Sequence, residues 1–110
     1  MAYDEQLAVR LRTMLADEPV VEKRMFGGLG FMLGGHLAVS ASGQGGLLVR
    51  VDPAHTDALL REPGATVFEM SGRGAMTGWL RVTGAPLDDD DTLAAWVERG
   101  LDYARTLPPK

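Results

Sequence analysis

Twice between Val20 and Val51 a run of alternating apolar residues breaks at a pair of glycines, Gly27-Gly28 and Gly34-Gly35. Tight hairpin turns need positive φ, which glycine adopts without steric cost. Paired glycines between period-two runs therefore fold the chain back on itself. Leu29, Phe31 and Leu33 alternate after the first pair, and Leu37, Val39 and Ala41 follow the second. A polar loop, Ser42-Gly43-Gln44-Gly45-Gly46, leads into Leu47-Leu48-Val49-Arg50-Val51. The spacing predicts a four-stranded antiparallel meander.

Helical patterning flanks it. Leu7, Leu11, Met14 and Leu15 recur at helical spacing behind Asp4, an N-cap or first-turn acid, and Pro19 sets a stop. Asp52-Pro53 opens a second helix, with Leu59 and Leu60 packing inward and Glu62-Pro63-Gly64 ending it. Two short strands are expected near Thr66 to Met70 and Gly78 to Thr83. In the last helix Leu93, Val97, Gly100, Leu101 and Ala104 form one stripe, with Trp96 and Tyr103 beside it. The expected fold is α+β and two-layered. An antiparallel sheet of five to six strands packs against helices in the order α-β-β-β-β-α-β-β-α. With no repeat and no dividing linker, residues 1–110 are expected to form one domain.

Composition narrows the function classes. Apolar residues make up 45% and charged residues 24%, within the globular range. The chain has no cysteine, which removes disulfides and thiolate chemistry and suits a reducing cytoplasm. Met1 to Gln6 is polar and acidic, unlike a signal peptide, and no apolar run approaches the roughly 20 residues of a membrane span. The net charge of −4 divides as −2 over residues 1–19, +1 over 20–85 and −3 over 86–110. The ends are acidic and no segment is strongly basic. Direct nucleic-acid binding is therefore not expected, and the acidic ends favour a basic protein partner.

Motifs for chemistry are missing their context. A dinucleotide loop needs Gly-x-Gly-x-x-Gly between a strand and a helix. Here Gly28, Gly30 and Gly34 are spaced differently and strands follow. The run Asp88 to Asp91 lacks the sixth-position glycine of a calcium loop, Leu93 standing there, and reads as a cap plus first-turn acids. His36 and His55 have no second ligand at metal spacing. A Ser–His–Asp set is spatial rather than sequential, but none of Ser40, Ser42 and Ser71 sits in a Gly-x-Ser-x-Gly elbow. No catalytic residue, cofactor or metal is expected, and the chain reads as a non-enzyme.

The stretch Glu22-Lys23-Arg24-Met25-Phe26-Gly27-Gly28, continuing through Gly30-Phe31-Met32 to Gly34-Gly35, resembles the signature of TfoX N-terminal domains. Leu48-Val49-Arg50-Val51-Asp52, Met76-Thr77-Gly78-Trp79 and the Trp-bearing helix from Leu93 to Ala104 extend the likeness over nearly the whole chain. The resemblance implies a two-layer fold like that of secretion chaperones. It also implies a role like that of the Sxy/TfoX regulators of natural competence, which act with the cyclic-AMP receptor protein at particular promoters. Those regulators carry a second, helical C-terminal domain, and this chain ends where that domain would begin.

The expected role is a regulatory module that binds protein, with a transcription-linked partner or a homodimer as the forms of contact. The candidate interaction surface is Arg24, Phe26, Gly27, Gly28, Trp79 and Arg81. If Met25 is buried with Val21, Arg24 and Phe26 point outward, an aromatic–arginine pairing common at interfaces. The opposite register buries Phe26, and alternation leaves both open. The alternative is a small enzyme or ligand-binding protein with a pocket between sheet and helices.

Overall fold

A computed structural model describes residues 3–25, 27–70 and 74–109, with backbone alone at 69, 70 and 74–77. Helix α1 (Glu5–Met14) leads into the meander β1 (Val20–Met25), β2 (Gly28–Leu33), β3 (His36–Ala41) and β4 (Leu47–Arg50). A 3₁₀ turn over Pro53–His55 runs into the short helix α2 (Thr56–Leu59). Strands β5 (Ala65–Met70) and β6 (Gly74–Val82) follow, and helix α3 (Asp90–Thr106) closes the order. All pairings are antiparallel in one six-stranded sheet ordered β1-β2-β3-β4-β6-β5. This is the α+β architecture that the alternation and the helical stripes predict. The exception is β6, which inserts between β4 and its own hairpin partner β5.

The turns form where the glycines demand them. Gly34 and Gly35 link β2 to β3 with φ of 61° and 84°, the doubly positive conformation that a two-residue hairpin uses. At the first pair only Gly27 lies in the turn, with φ of 75°, and Gly28 already belongs to β2 opposite Met25. Caps are equally local. The Asp4 carboxylate accepts from the amides of Gln6 and Leu7 at 2.9 and 3.2 Å, Asp52 accepts from Ala54 at 2.9 Å, and Asp89 accepts from Thr92 at 2.9 Å. The acidic run before α3 is thus an N-cap with first-turn acids behind it.

The three helices lie on one face of the sheet. Phe31, Val39, Leu47, Val49, Leu80 and Val82 point toward them and are fully buried with Leu11, Leu15, Leu93 and Trp96. Full burial of each such side chain contributes roughly 1.5–3 kcal/mol. The seat of α3 depends on Gly100. A Cβ there would lie 2.6 Å from the Ala38 carbonyl oxygen and 2.9 Å from Val39 Cγ1. Ala38 itself falls where the β2–β3 register shifts, since Phe31 pairs with Val39 but Met32 pairs with Leu37. The bulge keeps Val39 in the core and turns Leu37 to the other side.

Candidate functional site

The opposite face of the sheet carries a second, smaller apolar cluster built from strand residues alone. Leu37, Leu48 and Phe68 are 7%, 6% and 9% exposed, and Met25, Met32 and Trp79 pack over them half-buried. Among the described residues no helix residue belongs to this cluster. Burial there is possible because β2 carries two glycines on this side. Gly28 and Gly30 both face this side, and a Cβ on Gly30 would lie 2.7 Å from Leu37 Cδ1 and 3.5 Å from Met25 Sδ. The two glycines open a trough that the leucine and methionine fill. Ser40 lies beneath, its hydroxyl donating to the Leu29 carbonyl at 3.0 Å, so the buried oxygen is satisfied.

Cations border this face. The Arg50 guanidinium stacks over the Trp79 ring at 5.1 Å and reaches Tyr103 of α3 at 5.6 Å. Arg81 donates from Nε to the Gly45 carbonyl at 2.9 Å and from its other end to the Gln44 carbonyl, tying β6 to the β3–β4 loop. Lys23 is exposed on the edge strand β1.

The helix layer differs, since Arg10, Arg12, Arg99 and Arg105 each meet an acid. Arg10 meets Asp90 at 2.7 Å, and Arg105 meets Glu18 at 2.7 Å, Asp102 at 2.9 Å and Glu98 at 3.3 Å. Arg12 and Glu22 form a two-pronged pair at 2.7 and 2.9 Å. The hydrogen bond from Arg12 holds the Glu22 carboxyl below its ordinary range. Bonds from Thr92 do the same for the Asp89 cap. These are fold-holding pairs on an exposed surface.

The six residues singled out from the sequence do not make up one patch. Arg24 is exposed, but it pairs with Leu29 and so stands on the helix-backed side. Trp79 and Arg81 stand on the open side, opposite Arg50 and Leu48. Gly27 is at the hairpin tip, and Gly28 is buried beneath the loop after β3. Phe26 lies outside the described residues. Val21, placed by one register in the core, is 66% exposed on the edge strand. Sequence reasoning missed Leu37, Leu48 and Phe68 as a separate cluster. The unbroken run Leu47-Leu48-Val49 was the signal, because three consecutive apolar residues in a strand make both faces apolar.

A groove of about 420 Å³ lies between α2 and α3, with Val51, Ala58 and Leu59 as its apolar wall and His55, Asp102 and Tyr103 along its rim. Its volume suits a small molecule. One rim acid, Asp102, is already engaged by Arg105. Among the described residues no group of three or more His, Asp or Glu is placed to hold a metal ion, and no helix is long and apolar enough to cross a membrane.

A helix-backed antiparallel sheet with an apolar, cation-bordered free side defines a two-layer α+β protein of small size. The family model of the TfoX N-terminal domain matches residues 7–104, and the chain belongs to that family. No curated protein and no solved structure matches it.

Proposed function

We propose that this TfoX N-terminal domain is a non-catalytic regulatory module that binds a protein through the open face of its sheet. The observation that carries this reading is the strand-only cluster around Leu48, roofed by the half-buried Trp79 and bordered by Arg50 and Arg81. Tryptophan and arginine are the residue types that most often carry binding energy at protein interfaces. Methionines beside them adapt their shape to a partner at little cost. Regulation linked to transcription fits the family and is part of the same proposal.

Affinity capture with mass spectrometry tests it, using the wild-type chain and Trp79→Ala in parallel. The expected result is a protein retained by the wild type and lost from the folded variant. Identical recoveries from both would remove the open face from consideration.

A second reading has its own observation, the groove between α2 and α3. It would make the chain a small-molecule binder or enzyme. A thermal-shift screen of metabolites against wild type and Leu59→Trp, which fills the groove, separates the two. Stabilisation seen only with the wild type supports the groove.

A further inference from the structure

We propose that the partner segment on the open face is acidic, with Asp or Glu alternating with apolar side chains, rather than the basic partner that the acidic chain ends suggest, and that it is not a second copy of this chain. This rests on the reading that the open face binds protein, and it names the chemistry of what binds.

Most helix arginines are paired with acids, whereas the open-face cations meet none among the described residues. Arg10, Arg12 and Arg105 of the helix layer each have a carboxylate at 2.7 Å. On the open face the described side chains include Lys23, Arg50 and Arg81 and no carboxylate. Arg50 is half-buried between two rings and makes no ion pair among the described residues. The guanidinium forms no hydrogen bond or ion pair among the described residues, and its N–H fork matches a carboxylate with two parallel hydrogen bonds. Partial removal from water beside Trp79 strengthens such a bond relative to a fully exposed pair. The cluster of Met25, Met32 and Trp79 supplies apolar area between the cations. A segment alternating carboxylates with apolar side chains satisfies both requirements.

Other occupants fit less well. Two copies joined face to face would bring Lys23, Arg50 and Arg81 of one against the same residues of the other, and like charges set against each other across an interface oppose association. Docking the acidic helix layer of one copy onto the open face of the next is a head-to-tail contact, which builds rings or open chains rather than a two-fold dimer. Nucleic acid is held chiefly by counterion release from many phosphates, and three cations neutralise few.

The test selects peptides from a random phage library on the immobilised full chain. The winners are then mapped by amide chemical shifts and measured by fluorescence anisotropy. The enriched peptides should be acidic with interspersed apolar residues, and should shift amides around Leu37, Leu48 and Trp79. Replacing their acids by amides should weaken binding about tenfold, as should Arg50→Glu, while Arg50→Lys, which keeps the charge but loses the fork and the ring contact, should fall between wild type and Arg50→Glu. Melting curves establish that each variant is folded, and Arg81→Glu provides a second probe should Arg50→Glu not fold.

Peptides that bind the open face but are neutral or basic would overturn the acidic-partner proposal alone. So would displacement by a labelled single-stranded oligonucleotide, or a sedimentation dimer abolished by Trp79→Ala. Peptides that shift only helix-layer amides, or no enrichment at all, would overturn the open-face reading itself.

Discussion

The two faces of the sheet are both apolar, yet they are sealed in different ways. On the helix-backed face, Phe31, Val49 and Leu80 are closed over by three helices, and the charges above them are paired across elements, as in Arg10–Asp90 and Arg105–Glu18. On the open face, among the described residues, Leu37, Leu48 and Phe68 are packed over by the side chains of Met25, Met32 and Trp79, with the Ser42–Gln44 loop beside them and no helix. A roof of helices adds a whole layer of buried contacts, whereas a roof of side chains leaves its own upper surface to solvent. The first arrangement holds the fold, and the second is the face to which the proposed function assigns the partner.

The comparison can be broken most easily by phenylalanine truncation. Phe31→Ala should cost about 4 kcal/mol, because it leaves a cavity roofed by helices that cannot collapse. Phe68→Ala, on the open face, should cost about half as much, since water reaches the vacated space. Urea denaturation followed by circular dichroism reads both, and equal losses would mean that the faces are sealed alike.

Gly100→Ala probes the seat of α3. In a free helix alanine is favoured over glycine by about 1 kcal/mol. Here the added methyl must push α3 away from the Ala38 bulge, for an expected net loss of about 2 kcal/mol. A rise in the melting temperature would show that helix and sheet have room to separate.

The smallest effect lies in the charges of the helix layer. Because Arg12 lowers the Glu22 pKa from its ordinary value of 4.5, the pair stabilises the folded chain above that pH. It loses its effect as pH falls through the lowered value. Glu22→Gln should therefore be slightly less stable than wild type at neutral pH, and the gap should narrow as pH falls below 4.5. The difference should shrink in high salt, because both groups are exposed. A difference that persists in acid would assign the effect to packing.

Local signals made much of this fold legible. Gly34-Gly35 fixes a hairpin because the turn needs positive φ at both positions, and Asp4, Asp52 and Asp89 cap because a carboxylate there meets free amides. Gly28 was harder to read. It looks like half of a turn, but the strand needs it bare so that the β3–β4 loop can approach closely. The placement of β6 between β4 and β5 was not legible, since pairing Leu48 with Arg81 depends on contacts far apart in sequence. Nor was the open face. Trp79 stood out by its type, but its stacking on Arg50 follows from that non-local register, and Arg24 and Trp79 look alike until the sheet assigns them to opposite sides.

Leu47 and Leu48 offer the most direct test, because adjacent residues of one strand point to opposite faces with identical chemistry. Leu47→Ala should cost about 4 kcal/mol in urea denaturation and leave partner capture by the remaining folded protein unchanged. Leu48→Ala should cost about 2 kcal/mol or less and weaken capture. Equal destabilisation, or loss of capture from Leu47→Ala alone, would contradict the division of labour between the two faces.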